Sequence, residues 1–482
     1  MFFRQVADEK LAQYAYLIGC QATGEAIVID PERDIDRYIR LAEQNGLNIV
    51  AVADTHIHAD YLSGLREFAE RGVLVYASDE GGPDWTYEWL PRSDYAYKLL
   101  RDGDTFSVGN IHFRAVHSPG HTPEHLSYLV TDHGGGADQP IGLASGDFVF
   151  VGDLGRPDLL ESAAGVRGAM EPAAQQLFQS VQRFLELEDY LQVWPAHGAG
   201  SACGKALGAI PETTVGYERR FNGAIQSAKR SEAEFVGAIL DGQPEPPMYF
   251  ARMKRDNRSG PRVLGTLPNP RLLSLEELGK LSGDTSVALV DARLNRDAFL
   301  DGHIPGSLLA PFNRTFNTVV GSFVDDETDL YLVIEQAHVE EAVRDLVRIG
   351  LDRVVGYATP DMLETFRDQG GHLDTVPRAH MDEIAGLTRD PQHIVLDVRN
   401  HSEWLAARVP ESKNIAYTRL ALRMDEVPEN KTLLVHCMTG GRSSVAAAFL
   451  KRHGVDVVFL DGLFAEWVAA HEPAAGVAEA TA

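Results

Sequence analysis

Two kinds of hydrophobic pattern alternate along the first half of the chain. Short apolar runs, among them EAIVIDP, NIVAVADT, IGLASGD and LQVWPAHG, have the length and composition of buried strands. Amphipathic stretches such as LSGLREFAERG separate them and indicate helices. We therefore predict an α/β domain over residues 1–240. Residues 241–270 are rich in Pro, Gly and charge without a sustained period, which predicts a linker.

The hydrophobic pattern of the second half occurs twice. VALVDARLNRDAFL begins at residue 287 and IVLDVRNHSEWLAA at residue 394; each is an apolar strand that ends in Asp-x-Arg and precedes a helix. Asp291 and Asp397 are 106 residues apart, which is the size of a small domain. Two tandem α/β modules are predicted, at 271–375 and 376–472, and residues 473–482 are predicted to be a frayed tail.

Composition and charge narrow the range of partners. The 482 residues include 44 Lys and Arg against 70 Asp and Glu, and a net charge of −26 disfavours nucleic acid and anionic membranes. The start, MFFRQVADEK, lacks the apolar core of a signal peptide, and no uncharged apolar stretch is long enough to span a bilayer. We expect a cytoplasmic homo-oligomer. The only three cysteines, Cys20, Cys203 and Cys437, lie far apart, which favours reduced thiols.

Candidate metal ligands stand where the apolar runs of the first domain end. They are His56, His58, Asp60, His121, Asp147 and His197. Loops at one edge of a sheet can bring such side chains to a single ion. For His58, Asp60 and His197, direct ligation and a supporting hydrogen bond are equally compatible with the pattern. The remaining histidines of this domain complete no second cluster, and we interpret them as structural: His112, His117, His125 and His133.

The motifs around these residues resemble the metallo-β-lactamase superfamily, an αβ/βα sandwich, across nearly all of residues 1–240. The matching pieces are THIHAD (55–60), SPGHT (118–122), SGD (145–147) and PAHG (195–198). In the glyoxalase II hydrolases of that superfamily, a second metal relies on the His directly after the motif Asp. This chain has Tyr61 at that position, so we expect the second site to be lost.

Within the superfamily, the chain is most similar to the persulfide dioxygenases. This resemblance implies one Fe(II) per chain, held by His56, His121 and Asp147, with one face of the ion left open for sulfur and O2. It also implies that Arg156, in GRPDL, grips the carboxylate of a glutathione-like substrate, with Arg219, in ERRFN, as a weaker second contact. A surface ion pair is the alternative for either arginine.

One departure from the glutathione-specific members concerns the last motif. Those members carry H-D-Y-x-G, whereas this chain has HGAGSACG from His197 to Gly204. The departure points to the multidomain persulfide dioxygenases with appended sulfurtransferase modules, in which a Cys occurs in such a loop. Cys203 is therefore either a sulfur acceptor, with a thiolate favoured by the metal or by Lys205, or an inert thiol. Cys20, after the run YLIG, is expected to be a small buried apolar residue.

The second repeat contains a candidate sulfur nucleophile. In TLLVHCMTGGRSSVAAAFL an apolar strand ends at Cys437, a Gly-containing loop follows, and a helix begins near Ser443. Loop N–H groups, the helix N-terminus and Arg442 all favour a thiolate there. Four residues separate Cys437 from Arg442, fewer than in the C-x5-R loop of protein phosphatases. The spacing resembles that of rhodaneses, whose Cys carries a persulfide.

The first repeat lacks this motif. Aligning YLVIEQAHVEEAV on LLVHCMTGGRSSV places Glu335 at the Cys position and Glu340 at the Arg position. Two carboxylates repel an anion, so we predict an inactive rhodanese-like domain at 271–375. The expected fold class is thus α/β throughout, a metallo-β-lactamase sandwich followed by two rhodanese-like domains.

These patterns together predict an enzyme. A persulfide dioxygenase would oxidise the sulfane sulfur of a small persulfide with O2 to sulfite, and the rhodanese would exchange sulfur among persulfide, sulfite and thiosulfate. Two alternatives stay open, a zinc thioester hydrolase of the glyoxalase II type and a sulfurtransferase or sulfide sensor whose first domain only binds. The thiol that carries the persulfide and the direction of the rhodanese step also stay open.

Overall fold

The structure is a computed structural model that describes residues 1–163 and 165–471. The chain divides into two compact units. The first contains Met1–Leu267 and Val347–Gly350, and the second contains Pro268–Leu346 and the chain from Leu351 onward. The tail predicted at 473–482 lies outside the described residues. Within 1–163 and 165–471, no helix has both the length and the hydrophobicity needed to cross a bilayer.

Two six-stranded sheets form the centre of the first unit. One has the sequential order β1 to β6, and the other has the order β12-β11-β10-β9-β8-β7. The strands are β1 (Phe2–Asp8), β2 (Gln13–Cys20), β3 (Glu25–Ile29), β4 (Asn48–Ala53), β5 (Leu74–Ser78), β6 (Tyr97–Leu100), β7 (Thr105–Val108), β8 (Ile111–His117), β9 (Leu126–Asp132), β10 (Gly142–Gly146), β11 (Gln192–Pro195) and β12 (Thr213–Thr214). The first three strands pair antiparallel, and β3 to β6 pair parallel.

Helices cover the outer faces of both sheets. They are α1 (Asp36–Gln44), α2 (Leu65–Ala69), α3 (Leu159–Ser162), α4 (Met170–Phe184), α5 (Val215–Phe221), α6 (Gly223–Ala228), α7 (Glu232–Leu240) and α8 (Phe250–Ser259). One core lies between α1, α2 and the first sheet, a second between the two sheets, and a third between the second sheet and α4, α6 and α7. The unit is therefore a four-layered αβ/βα sandwich, as predicted.

Burial on both faces explains the continuous apolar runs. In β3, Ala26 and Val28 face the helix side, whereas Ile27 and Ile29 face the core between the sheets. Successive side chains of a strand point to opposite faces, so a strand covered on both sides needs apolar residues at consecutive positions.

The segment predicted as a linker contains regular structure. Helix α8 lies within residues 241–270, and its residues Phe250, Met253, Lys254 and Asn257 are buried in the first unit, which extends to Leu267. Of the two polar side chains, Asn257 hydrogen-bonds backbone groups and Lys254 lies over the Trp85 ring. The helical repeat of apolar residues is therefore weak in the sequence. The Pro-rich and Gly-rich segments on either side make the helix harder to recognise.

The second unit contains two five-stranded parallel sheets, ordered β13-β17-β16-β14-β15 and β18-β22-β21-β19-β20. Counted within each sheet, both orders are first, fifth, fourth, second, third. The strands are β13 (Arg271–Leu272), β14 (Ala288–Asp291), β15 (Leu308–Leu309), β16 (Leu330–Val333), β17 (Val354–Ala358), β18 (Arg378–His380), β19 (His393–Asp397), β20 (Lys413–Asn414), β21 (Thr432–His436) and β22 (Val457–Asp461). The helices are α9 (Leu275–Lys280), α10 (Arg296–Asp301), α11 (Phe316–Phe323), α12 (Val339–Arg348), α13 (Pro360–Asp368), α14 (Ile384–Leu387), α15 (His401–Ala406), α16 (Gly441–Arg452) and α17 (Phe464–Ala470).

The repeated Asp-x-Arg motif has the same structure in both sheets. Arg293 binds the carboxylate of Asp291 through Nε and Nη2 and donates to a backbone carbonyl at 2.8 Å. Arg399 does the same with Asp397, and its carbonyl bond is 2.7 Å long. Both aspartates end the second strand of their sheet, so the internal repeat in the sequence corresponds to a repeat in the structure.

The strand register corrects the alignment of the two repeats by one residue. Asp397 pairs with His436, the residue before Cys437, whereas Asp291 pairs with Val333. The structural counterpart of Cys437 is therefore Ile334, not Glu335. The error arose because the segment between strand and helix runs from 334 to 338 in the first repeat and only from 437 to 440 in the second.

Candidate metal centre and cysteine site

Three of the predicted ligands converge at one edge of the sandwich. His56 follows β4, His121 follows β8 and Asp147 follows β10, and all three are buried. One ligand atom from each residue lies within 4.8 Å of the others. The His56 and His121 rings meet edge to face with centroids 4.8 Å apart. The loops at the strand ends thus bring two imidazoles and one carboxylate together.

Hydrogen bonds fix the tautomer of His56. The hydroxyl of Thr55 donates to Asp30 Oδ2 at 3.0 Å, so its oxygen accepts from Nδ1–H of His56 at 2.9 Å. The Nε2 lone pair of His56 is then free to bind a metal. A neutral imidazole whose other nitrogen is held in this way is the usual form of a histidine ligand.

Asp147 is held in place through its backbone. Nε2 of His125 accepts from the Asp147 N–H at 3.1 Å, and Nδ1 of His125 bonds the Ser118 hydroxyl at 2.8 Å. Burial lowers the pKa of His125 to about 3, so the ring is neutral and can accept this bond. The interpretation of His125 as structural agrees with this geometry, although its contact with the backbone of a candidate ligand was not foreseen.

The position directly before Asp147, residue 146, requires glycine for two reasons. Its φ is +55°, a region that side chains disfavour. A Cβ there would also lie 2.5 Å from Thr55 Oγ1 and 2.6 Å from His125 Nε2. Glycine therefore permits the close approach of the two loops that present His56 and Asp147.

Unpartnered polar atoms test whether these residues fit a metal. Both carboxylate oxygens of Asp147 and Nδ1 of His121 are buried and form no hydrogen bond within the described residues. Buried polar atoms are otherwise nearly always paired. Asp147 oxygens lie 3.5 Å from His121 Nε2 and 3.3 Å from His197 Nε2 without bonding geometry. Convergence of lone pairs without hydrogen bonds suits coordination of a cation, and the donor set fits a transition metal.

Burial and the neighbouring carboxylate of Asp60 raise the pKa of Asp147 to about 6, partly offset by His197. A bound cation would act in the opposite direction and hold the carboxylate ionised.

A second group of ligand-type side chains adjoins the first. Ligand atoms of Asp60, His197 and Cys203 lie within 4.8 Å of one another. Nδ1 of His197 bonds the Ala12 carbonyl at 3.1 Å, which leaves Nε2 facing Asp60 at 3.2 Å. Asp60 and His197 therefore lie beside the first cluster, where either a supporting or a ligating role is possible.

His58 belongs to the hydrogen-bonded network around Asp30. Its Nε2 donates to Asp30 Oδ1 at 3.1 Å, and that carboxylate also accepts from the backbone and the hydroxyl of Thr55. Burial lowers the pKa of His58, but Asp30 and Asp54 outweigh burial and raise it to about 10. A protonated, donating His58 supports the loop and offers no lone pair at Nε2.

Tyr61 occupies the position at which the glyoxalase II pattern has a histidine. It is fully buried, stacks on His58 with centroids 4.5 Å apart, and donates to the Asp30 carbonyl at 3.2 Å. Its hydroxyl also accepts from Gln13 at 3.2 Å. The phenol hydroxyl is thus hydrogen-bonded to protein groups, and burial raises its pKa well above the usual value. A neutral phenol with these partners is a poor metal ligand.

Cys203 is a buried thiol beside two carboxylates. Burial first, and then the charges of Asp147 and Asp60, raise its pKa well above the usual value. The predicted help from Lys205 is absent from the described contacts, because its ammonium donates to the carbonyls of Ala238 and Asp241. A thiolate at Cys203 would therefore require a nearby cation. Cys20 packs in the core between the sheets.

The two arginines expected to bind substrate have protein partners. Arg156 is buried, binds Asp158 bidentately at 3.0 and 2.6 Å, and donates to the carbonyls of Ala202 and Pro244. That pairing occupies the edge of the guanidinium that a substrate carboxylate would need. Arg219 binds Asp189 and two carbonyls of the loop before β11. In the structure both arginines hold loops together.

Helix α8 supplies residues that the sequence analysis did not identify. Asn257 accepts from Ser63 N–H at 2.9 Å and donates to the carbonyls of His58 and Tyr61 at 2.9 and 2.7 Å. Lys254, one turn earlier, is buried with its ammonium 4.1 Å from the centroid of the Trp85 ring. The only signal in the sequence is the three-residue spacing of Lys254 and Asn257 within a polar stretch, which places both side chains on one face of a helix.

Lys254 is a positive charge close to the metal cluster. Burial lowers its pKa to about 8, partly offset by Glu124. Burial is also the main cause that lowers the pKa of His56 and of His121, and the charge of Lys254 adds to it. Glu124 is itself buried and accepts from Ile57 N–H at 2.8 Å through one oxygen, while the other has no hydrogen-bond partner within the described residues. The ring stabilises the ammonium through a cation–π interaction, and a buried ammonium attracts an anion that reaches it.

In the second unit, Cys437 directly follows β21 and is buried. Its sulfur accepts from Gly440 N–H at 3.2 Å and from the Ser443 hydroxyl at 3.4 Å. Both donors are of the kind that stabilises negative charge on sulfur, and the Gly440 N–H is one of the loop N–H groups to which the motif pointed. Helix α16 begins at Gly441, two residues earlier than expected.

Arg442 is paired with a carboxylate. Its guanidinium binds Glu403 bidentately at 2.5 and 2.8 Å. Arg442 lowers the pKa of Glu403, so the pair is ionised at neutral pH. The charge of Arg442 is therefore shared between Glu403 and the region of Cys437, rather than directed at the sulfur alone.

The chain matches two protein families. Residues 9–197 match the metallo-beta-lactamase superfamily, and residues 380–470 match the rhodanese-like domain. A metallo-beta-lactamase of known structure from Staphylococcus aureus is 40% identical, with a TM-score of 0.67, and the match covers 75% of this chain and 99% of that chain.

Two curated relatives differ in activity. The persulfide dioxygenase of Bos taurus is 27% identical over 203 residues, which are 41% of this chain and 68% of that protein. The hydroxyacylglutathione hydrolase of Gloeobacter violaceus is 33% identical over 192 residues, which are 38% of this chain and 63% of that protein. The four-layered sandwich, the ligand cluster at the strand ends and these matches agree: the chain belongs to the metallo-beta-lactamase superfamily and carries a rhodanese-like domain at residues 380–470.

Proposed function

We propose that the protein is a persulfide dioxygenase fused to a rhodanese sulfurtransferase. The observation that carries the proposal is the cluster of His56, His121 and Asp147 beside Tyr61. Two-metal hydrolysis uses both ions to clamp the reacting oxygens. Here the position of a second-site histidine holds a buried phenol that is hydrogen-bonded to the protein. The similarity to a persulfide dioxygenase supports the same conclusion.

The proposed metal is one Fe(II) per chain. Two imidazoles and a carboxylate, with remaining positions open, form the donor set of non-haem iron oxygenases. When bound, Fe(II) supplies the electron transfer that allows O2 to react. Overall, one persulfide RSSH, one O2 and one water give the thiol RSH, one sulfite and two protons. Around the ligands, Thr55 and His125 hold His56 and Asp147 in orientation, and Asp60 and His197 line the adjacent side.

Lys254 is the proposed contact for the anionic substrate. It replaces Arg156 in this role, because the Arg156 guanidinium is bound by Asp158 and Lys254 has no such bidentate partner in the described residues. A persulfide is anionic at neutral pH, and its organic part often carries a carboxylate. The buried ammonium can neutralise that charge where water is excluded.

Cys437 is the proposed sulfur carrier. Its thiolate attacks the outer sulfur of a persulfide, the sulfur–sulfur bond to the organic thiol breaks, and the thiol leaves after taking up a proton. Sulfite then attacks the persulfide on Cys437 and leaves as thiosulfate, which regenerates the thiolate. The donors from Gly440 and Ser443 stabilise the sulfur anion at both stages.

The first repeat is proposed to be an inactive rhodanese-like domain, within bounds near 271–375. Its strand order and Asp291–Arg293 pair match those of the second repeat. Ile334 stands where the second repeat has its cysteine, and α12 begins with Val339 and Glu340, so Glu340 has the helical position of Arg442. A site with neither a thiol nor a cation cannot carry sulfur.

Oxygen consumption tests the proposal directly. Protein reconstituted anaerobically with Fe(II) should consume O2 when given persulfides of glutathione, coenzyme A or cysteine, or inorganic polysulfide, and should form sulfite. The hydrolase alternative rests on the similarity to a hydroxyacylglutathione hydrolase. If zinc-loaded protein hydrolyses S-lactoylglutathione and iron-loaded protein consumes no O2 with any persulfide, the dioxygenase assignment is wrong. If neither occurs while sulfur transfer at Cys437 persists, the first domain only binds.

A further inference from the structure

The loop of Cys437 is contacted by an arginine from the first repeat. Arg296, the first residue of α10, donates from Nη1 to the Thr439 carbonyl at 2.6 Å. Its Nη2 lies 3.2 Å from Asp461, and its guanidinium lies 5.6 Å from the Phe459 ring. The residue is thus anchored on the sheet of the second repeat while it reaches the loop that follows β21.

The contacted carbonyl belongs to the peptide group that binds the sulfur. The Thr439 carbonyl and the Gly440 N–H are the two ends of one peptide unit, and that N–H donates to Cys437 Sγ at 3.2 Å. In a trans peptide the C=O and N–H bonds point in opposite directions. A cation at the oxygen therefore polarises the N–H that faces the sulfur, because hydrogen bonds in a chain strengthen one another.

Glycine at position 440 permits this contact. Gly440 has a φ of +92°, and a Cβ there would lie 2.1 Å from Arg296 Nη1. Glycine at 440 is needed for both the left-handed backbone and the approach of the guanidinium.

We propose that Arg296 is a positioning residue for Cys437: through the Thr439–Gly440 peptide it orients and strengthens the N–H that stabilises the thiolate. A catalytically silent repeat thereby contributes to the sulfur site of the active one. The inference rests on the proposed role of Cys437 as a nucleophile, but its test does not require turnover.

A matched control is available in an arginine that contacts the same helix from the second repeat. Arg378, on β18, also joins the two repeats, donating to Asp301 at 2.7 Å and to the Asp297 carbonyl at 3.0 Å of α10. The side chains of Arg296 and Arg378 are both 31% exposed. Loss of Arg378 weakens the packing of α10 without touching the loop of Cys437.

The experiment measures alkylation of Cys437 by iodoacetamide in the full-length protein, followed by mass spectrometry of the Cys437 peptide. Arg296→Ala should slow the reaction at pH 7 by about twofold to fivefold, the usual size of a partly exposed charge acting on a peptide dipole. Arg296→Lys should recover part of the rate, and Arg378→Ala should match the wild type. At high pH the difference should vanish or reverse, because a thiolate with weaker donors is intrinsically the stronger nucleophile.

Two results would overturn the inference. One is an Arg296→Ala protein that reacts at the wild-type rate. The other is an Arg378→Ala protein that is slowed as much as Arg296→Ala, which would mean that only the packing of α10 matters. If the alkylation rates follow the expected order while the wild type transfers no sulfur, the inference stands and the rhodanese function fails.

Discussion

Asp147 is the side chain on which the metal site depends most directly. It is buried, neither of its oxygens forms a hydrogen bond within the described residues, and it lies between His121 and His197. Its position is fixed by the backbone bond to His125 rather than by its carboxylate. Replacement of the side chain should therefore remove a metal ligand with little effect on the loop.

We predict that Asp147→Ala or His121→Ala protein retains little iron and consumes no O2 with persulfides, while sulfur transfer by Cys437 continues. Metal analysis by mass spectrometry and oxygen electrode measurements test this. His112→Ala is the matched control, because His112 is partly exposed and bonds only Ser107 among the described side chains. Full metal content in Asp147→Ala protein, or two tightly held metals in the wild type, would contradict the one-iron site.

Lys254 gives the dioxygenase step a predicted pH dependence. Its pKa is lowered by burial to about 8, so the ammonium is charged at pH 7 and loses its charge as the pH rises through 8. Binding of an anionic persulfide should weaken over that range. Lys254→Met should raise KM by about tenfold to a hundredfold at pH 7, with a smaller change in kcat, and should abolish the dependence of KM on pH near 8.

Steady-state oxygen uptake between pH 6 and pH 9 measures these effects. Lys205→Met serves as the control, since that ammonium donates to the carbonyls of Ala238 and Asp241. An unchanged KM in Lys254→Met protein for every organic and inorganic persulfide would remove Lys254 from the substrate site.

Helix α8 lies in a segment whose sequence shows no regular pattern. It contacts the loop that carries His58 and Tyr61, here called the metal loop. Asn257 alone satisfies one N–H and two carbonyls of the loop that carries His58 and Tyr61. Buried backbone groups left without partners cost about 1 to 3 kcal/mol. Asn257→Ala should therefore lower the free energy of unfolding by about that amount and speed the loss of iron to a chelator.

Urea titration followed by a signal from the first unit, together with chelation kinetics, tests this prediction. Ser259→Ala is a suitable control, because its hydroxyl bonds only the Arg255 carbonyl within the same helix. Equal stability and equal iron loss in the two variants would show that α8 does not support the metal loop.

The strands and the ligand cluster were predictable because both depend on local rules. Strands buried on two faces need continuous apolar runs, and loops at one sheet edge gather the ligands His56, His121 and Asp147. Helix α8 was missed because two of its four buried side chains, Lys254 and Asn257, are polar, which weakens the hydrophobic period. The partner of Arg156 was missed for a different reason: a sequence shows that an arginine is present, but not which acceptor it binds.

The alignment error at Glu335 has a further physical cause. Motif alignment assumes equal loop lengths, whereas the strand register depends on the pairing of Asp291 with Val333. Only hydrogen bonding between strands far apart in sequence fixes that register. Similarly, the role of Arg296 depends on a contact with Thr439, 143 positions away in the sequence, which no local pattern indicates.

In the chain as a whole, the proposed oxygen-consuming site lies in the first unit and the proposed sulfur-transfer site lies in the second. Cys437→Ser should leave oxygen consumption close to normal and abolish sulfur transfer, because a hydroxyl cannot carry a persulfide. Under turnover with a persulfide, the wild type should exchange sulfite and thiosulfate, whereas the variant should accumulate sulfite. Ion chromatography of the products distinguishes the two. Persistent exchange in the Cys437→Ser protein would mean that another thiol, with Cys203 the first candidate, is the carrier.

Ile334 limits how the first repeat could acquire a reactive cysteine. A mutation to cysteine would return a thiol to the end of β16, yet the segment that follows is one residue longer than in the second repeat and leads to Glu340 instead of Arg442. Glu341 has the helical position of Ser443, so the new thiol would lack the hydroxyl donor that Cys437 has. With the first repeat as the inactive domain proposed above, a single substitution at Ile334 would not give it a sulfur site, and its surface can instead serve contacts such as that of Arg296.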